Sequence, residues 1–172
     1  MGRGLFWKCP TGGKLLTYSH LPETPVSFIN ETRQLIPVIS QVSPDEKVQK
    51  YLVHAAQCYL AGLDLACIFV CRSALEICLK SSLTILGFPE YEEDIDGNYT
   101  AGKVIKAAIK EKLITDQNIR EMTWAINDAA KKAIHNEHPE HIDDLAFNTL
   151  FSLSRVLSHV LSGLDILRKD EA

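Results

Sequence analysis

The side chains best suited to chemistry recur at helical spacing between residues 115 and 135. Separations of four, three, four and four residues place them along one side of a helix: Arg120, Trp124, Asn127, Lys131 and His135. This stripe is basic at both ends and has an aromatic ring near its centre. Such a surface suits a partner helix or a single-stranded nucleic acid. The alternative is a solvated helix face with Trp124 packed sideways.

A second polar stripe follows the last predicted helix and consists of Asn148, Ser152, Arg155 and His159. If the two helices are antiparallel neighbours, the two stripes can border one cleft. Spacing alone does not decide whether they do.

Potential metal ligands are densest in residues 135–141, where His135, His138 and His141 alternate with acidic residues. Histidines three residues apart at a helix end can share a metal ion. Pro139 breaks the helical geometry between the second and third histidine, and no zinc-protease pattern is present. We therefore predict no metal site and no cofactor.

One central helix must position these side chains. Residues 65–86 are apolar around most of the helix circumference, apart from a line formed by Arg72, Glu76 and Lys80. A helix of this kind needs neighbours on several sides, which predicts the middle of a bundle. Arg72 and Glu76, one turn apart, are predicted to form a structural ion pair, with a binding role as the alternative. Cys67, Cys71 and Cys78 lie among apolar residues, which favours small buried core residues.

Capping residues and apolar periodicity predict four more helices. Their ranges are Ser43 to Gly62, Thr100 to about Leu113, Thr115 to about His135, and about Ile142 to Arg168. The prediction is an all-α fold: an antiparallel helical bundle of about five helices over residues 43–170. Residues 1–42 are predicted to form a loop and a short N-terminal arm resembling a β-hairpin.

Overall composition limits the classes of function. The chain has 172 residues, the size of one domain, and a net charge of −4. It has no overall basic field that would draw it to nucleic acid, although a local basic patch remains possible. No apolar run is long enough, and free enough of charged residues, to span a membrane. The apolar stretch at the start of the sequence is too short for a secretory signal. We expect a cytoplasmic protein without a membrane partner.

Two segments, taken together, resemble a known family. Residues 48–80 contain Ala55-Ala56, Gly62 and the sequence Arg72-Ser73-Ala74-Leu75-Glu76, and residues 124–135 read WAINDAAKKAIH. In this order they resemble the helical domain-of-unknown-function branch of the HEPN superfamily, which occurs in restriction-enzyme subunits and phage-defence loci. The resemblance covers roughly residues 45–168.

The resemblance implies an antiparallel helical bundle that is commonly dimeric. Catalytic HEPN proteins cut RNA without metal, using an arginine and a later histidine that are separated by four to six residues. His135 matches the histidine, but residues 128–130 supply no arginine and the nearest cation is Lys131. Arg120 is fifteen residues upstream, about 22 Å along a helix.

We therefore expect a non-catalytic HEPN-like interaction or RNA-binding module in a bacterial defence or nucleic-acid-processing system. It is expected to form a homodimer and to bind single-stranded RNA or a protein partner. The alternative is a metal-independent endoribonuclease in which His135 is the base and Lys131 the cation.

Overall fold

The computed structural model describes residues 46–91, 100–135 and 141–170. Within these ranges the chain forms five helices: α1 (Glu46–Leu60), α2 (Asp64–Ile85), α3 (Ala101–Lys110), α4 (Gln117–Ile134) and α5 (Ile142–Asp170). A 3-10 turn, Pro89–Tyr91, follows α2, and the described residues contain no strand. The prediction of a helical bundle is confirmed. The predicted N-terminal arm, residues 1–42, lies outside the described residues.

Helix α2 is the centre of the bundle, as its composition predicts. It contacts α1, α3, α4 and α5. Its fully buried side chains cover about half of the circumference at 100° per residue, and most of the remainder is half-buried. Its exposed large apolar side chains are Leu65 and Ile85, which lie at its two ends. None of the described helices is both long and apolar enough to cross a membrane.

The cysteines of α2 belong to the core. Cys67, Cys71 and Cys78 are buried and unbridged, as predicted. The Cys67 Sγ lies 4.0 Å from the Ala146 carbonyl oxygen, which places the start of α5 beside the start of α2. A hydrogen bond with Cys67, together with burial, raises the pKa of the Cys71 thiol well above its usual value.

A tight turn makes α1 and α2 neighbours. The Gly62 N–H donates to the Tyr59 carbonyl at 2.9 Å, and the Leu63 N–H donates to the Cys58 carbonyl at 2.8 Å. These two bonds are the Schellman pattern, which requires a left-handed residue directly after the helix. Gly62 supplies it, with φ of +68°.

Helices α4 and α5 are also antiparallel neighbours. They contact each other, and only six residues, 135–140, lie between the end of α4 and His141. The His141 carbonyl accepts a hydrogen bond from the Leu145 N–H in the first turn of α5. At the other end, a Cβ added to Gly163 of α5 would lie 3.5 Å from the carbonyl oxygen of Leu113, just before α4 begins. The two helices therefore run in opposite directions.

Candidate nucleic-acid interface

Helix α4 carries the predicted polar stripe and is held in place at its start. The Asp116 carboxylate caps the helix by accepting a hydrogen bond from the Ile119 N–H at 3.0 Å. Ile119, Ile126 and Ala130 are buried and anchor one face of α4 in the bundle core. The cap and this face together fix which side of α4 reaches solvent.

The structure divides the predicted stripe. Lys131 and His135 are exposed, and Arg120 and Trp124 are half-buried. Asn127 is 0% exposed. The prediction that Asn127 is a surface binding residue is therefore wrong.

The reason lies in the width of the buried face of α4. Asn127 is one turn after Thr123 and about 40° from it around the helix, at 100° per residue. Thr123 is itself 0% exposed. Because α2, α3 and α5 all pack against α4, its core face is wide enough to include Asn127 at its edge.

Asn127 is incompletely hydrogen-bonded in this position. Its Nδ2 donates to the Asp128 Oδ1 at 3.4 Å, a long contact. Its Oδ1 is buried and has no hydrogen-bond partner among the described residues.

Arg120 and Trp124 contact two different parts of the chain that precedes α4. The Arg120 Nε donates to the Ile114 carbonyl at 3.2 Å and so ties α4 to the connection that precedes it. The Trp124 Cζ3 lies 3.8 Å from the point where a Cβ on Gly102 would be, which places the indole against α3. The sideways packing of Trp124 that was predicted as the alternative agrees with this contact. Part of the side chain nevertheless remains exposed.

A row of exposed lysines on α3 was not predicted as part of the site. Lys103, Lys106 and Lys110 are spaced three and four residues apart and are exposed, whereas Val104, Ile105 and Ala108 are buried. This spacing puts the three ammonium groups on one side of the helix. The alternation of lysine with apolar residues in AGKVIKAAIK is the sequence signal that identifies the row.

Helices α3 and α4 together form the basic part of an acidic chain. We call residues 100–135 the basic hairpin. It carries seven Lys and Arg against four Asp and Glu, a net charge of +3, while the whole chain carries −4. The cations are Lys103, Lys106, Lys110, Lys112, Arg120, Lys131 and Lys132.

Ion pairs neutralise only some of these cations. Lys110 lies 3.1 Å from Glu111, whose carboxylate raises the pKa of Lys110, first by a hydrogen bond and then by its charge. Lys131 lies 3.2 Å from Asp128, and both side chains are more than half exposed. Among the described residues, Lys106 and Lys132 have no ion-pair partner.

The predicted ion pair on α2 is replaced by another. Glu76 pairs with Lys80 at 3.0 Å, and no ion pair joins Arg72 to Glu76 in the described part of the chain. A glutamate four residues before a lysine is better oriented on a helix than the reverse order, which favours Lys80. The Arg72 Nε is buried and has no hydrogen-bond partner among the described residues.

The polar stripe on α5 is solvated and separate from the one on α4. Asn148 and Arg155 are exposed, and Ser152 and His159 are half-buried. The helices are antiparallel neighbours, as a shared cleft requires, but Trp124 packs toward α3. No described hydrogen bond or ion pair joins the two stripes.

The histidine cluster is only partly within the described residues, since His138 lies outside them. His135 is exposed at the end of α4. His141, Asp143 and Asp144 have potential ligand atoms within 4.8 Å of one another. The two carboxylates lie in the first turn of α5, where the helix dipole favours negative charge without any metal.

Comparison with protein-family models, with curated proteins and with solved structures finds no match to this chain.

Proposed function

We propose that this chain is a non-catalytic, HEPN-like helical module that binds RNA through its basic hairpin. The observation that carries the proposal is the net positive charge of residues 100–135, whose exposed lysine row on α3 lies beside a half-buried tryptophan, in a chain that is acidic overall. The resemblance stated above supports the same class and suggests a homodimer in a bacterial defence or nucleic-acid-processing system.

The α3 lysines suit a phosphate backbone. At about 1.5 Å rise per residue, Lys103, Lys106 and Lys110 span roughly 10 Å along the helix. Lysine contacts phosphate as a mobile point charge, which gives affinity without dependence on base sequence. All three side chains are exposed, Lys110 is shared with Glu111, and Lys106 has no ion-pair partner among the described residues.

The non-catalytic part of the proposal rests on the surroundings of Lys131 and His135. Both side chains are exposed at the end of α4, and Lys131 is engaged by Asp128. A general base and a phosphorane-stabilising cation act best when neighbouring groups hold them in position and exclude water. Within one copy of the chain, Asp128 contacts Lys131, but both Lys131 and His135 are open to water and no described hydrogen bond holds the His135 imidazole.

A ribonuclease remains the second candidate, because Lys131 and His135 are both accessible and one helical turn apart. In that mechanism His135 takes the proton of the ribose 2′-hydroxyl, whose oxygen attacks the adjacent phosphorus while the 5′-oxygen of the next nucleotide leaves and takes a proton from water. Lys131 stabilises the negative charge on the phosphoryl oxygens. Incubation of the protein with labelled RNA and a chelator separates the candidates. Cleavage that His135→Ala abolishes would make the ribonuclease correct.

RNA binding is tested by fluorescence anisotropy with a labelled RNA pool. The double variant Lys106→Glu, Lys110→Glu reverses two charges in the lysine row. We expect the Kd to rise at least about tenfold and the salt dependence of log Kd to weaken by about one for each lysine that contacts phosphate.

The matched control reverses two exposed lysines on α1, Lys47→Glu and Lys50→Glu. It changes the net charge by the same amount on a helix that packs against α2 and α5. RNA affinity should stay within about threefold of the unchanged protein. Equal losses in both double variants would refute a localised site, and no measurable RNA binding by the unchanged chain would refute the proposed function.

A further inference from the structure

We propose that the RNA recognised by the basic hairpin is single-stranded, with one base stacked on Trp124 and the adjoining backbone held by the α3 lysines. This inference rests on the proposed function and assigns the class of its ligand.

The juxtaposition of Trp124 with the start of α3 carries the inference. The indole edge, Cζ3 and Cη2, lies 3.8 and 4.0 Å from the Cβ position of Gly102. Lys103 directly follows Gly102, and Lys106 lies one turn further along the same side of α3. The aromatic ring therefore lies beside the first residues of α3, where the lysine row starts.

Trp124 packs against the edge of the core but is only half-buried, so part of the side chain is exposed to solvent. The edge of the indole that faces Gly102 lies between α3 and α4. Ile126 and Thr123 on the same helix are fully buried, whereas Trp124 is not. Because every base has a flat π-face, a ring in this position can accept a base of any identity. Bases inside a duplex are already stacked on one another and are unavailable to it.

Charge near the ring favours a phosphate-bearing ligand over a neutral one. Lys106 is exposed and without an ion-pair partner among the described residues. Lys131, on the same side of α4 as Trp124, is exposed and only partly neutralised by Asp128. A strand lying across Trp124 thus meets cations on both helices.

The test compares a labelled unstructured RNA of about 12 nucleotides with the same strand in a perfect duplex. Trp124→Leu should weaken single-strand binding by roughly 5- to 100-fold and leave duplex binding unchanged. Trp124→Phe, which keeps an aromatic ring, should retain much of the affinity. Phe151→Leu is the control, because Phe151 is an exposed aromatic residue on α5.

A second measurement leaves Trp124 in place, so it does not depend on how well Trp124→Leu folds. The chain has two tryptophans, and Trp7→Phe leaves Trp124 as the single indole. Single-stranded RNA should quench its fluorescence, and duplex RNA should quench it much less.

The outcomes distinguish this inference from the proposed function. Suppose that RNA binding is lost in the lysine double variant but unchanged in Trp124→Leu, and that RNA does not quench the fluorescence of Trp124. The stacking inference is then wrong, and the proposal of RNA binding stands. Equal affinity for strand and duplex would overturn the stacking inference in the same way. If the hairpin binds a polyglutamate peptide in preference to RNA, both are overturned and the surface is one for an acidic protein.

Discussion

Replacing Asn127 with Leu should stabilise the protein, although it removes a hydrogen-bonding side chain from the core. Asn127 is 0% exposed, and its Oδ1 has no hydrogen-bond partner among the described residues. A buried polar group left unpaired costs about 1–3 kcal/mol, because it gives up water and gains nothing in return. The side chain's remaining contact, 3.4 Å to Asp128, is long and contributes little.

Leucine has the same branching and the same number of side-chain heavy atoms as asparagine, is larger because methyl groups replace the amide oxygen and nitrogen, and carries no polar atom. The substitution removes the desolvation cost of the amide and adds apolar surface where no water reaches. Allowing for some repacking, we expect the free energy of unfolding to rise by about 1–2 kcal/mol. In a chain of this length, each kcal/mol raises Tm by roughly 2–4 °C.

Urea unfolding followed by circular dichroism at 222 nm measures this change. The midpoint should move to higher urea while the slope m stays constant, since the surface exposed on unfolding is nearly the same. Asn127→Ala is the matched control, because it removes the same amide but leaves a void, and it should be less stable than Asn127→Leu.

A loss of more than about 1 kcal/mol in Asn127→Leu, with the helical spectrum intact, would refute this reasoning. It would mean that the Oδ1 accepts a hydrogen bond from a group such as a buried water. RNA affinity should be unchanged in Asn127→Leu, because a buried side chain at this position does not face the ligand.

Three further predictions concern local features of the bundle. Asp116→Ala removes the hydrogen bond that the Ile119 N–H donates to the cap, so urea unfolding should show a loss of about 1 kcal/mol, with Asp116→Asn close to the unchanged protein. In Gly62→Ala the new Cβ meets no atom within 4 Å, so the free energy of unfolding should fall only by the strain of a left-handed alanine, about 1 kcal/mol. Thermal unfolding measures this change, and an unchanged stability would argue against the positive φ. The pKa of the Cys71 thiol is raised by its hydrogen bond with Cys67 and by burial, so Cys71 should resist iodoacetamide at pH 8 until urea unfolds the chain. Rapid labelling of Cys71 itself in the folded protein, located by peptide mass spectrometry, would contradict its burial.

The helices were predictable because the burial of apolar side chains decides where they form. The central helix was predicted over residues 65–86 and is observed at Asp64–Ile85, and the last was predicted over 142–168 and is observed at Ile142–Asp170. Periodicity identifies such long segments well, because many side chains contribute to the pattern. The 3-10 turn at Pro89–Tyr91 has no such signal, since three residues provide no period to detect.

The site was less predictable, because periodicity places side chains on a helix face but does not say how much of that face is covered. Asn127 shares a stripe with exposed Lys131, yet the three helices packed on α4 bury it. Glu76 had two potential partners on its own helix face, Arg72 and Lys80, and only the structure shows that it pairs with Lys80. Each of these outcomes depends on neighbours that are distant in sequence.

The positive charge of residues 100–135 shows why the total charge of a chain is a poor guide to what its surface can bind. The net charge of −4 predicts no overall basic field, and that inference holds for the chain as a whole. At physiological ionic strength, however, charges more than about 8 Å apart are largely screened when both are exposed. A phosphate group beside Lys106 therefore responds mainly to the nearest lysines of α3, and the acidic excess elsewhere in the chain weakens this attraction little.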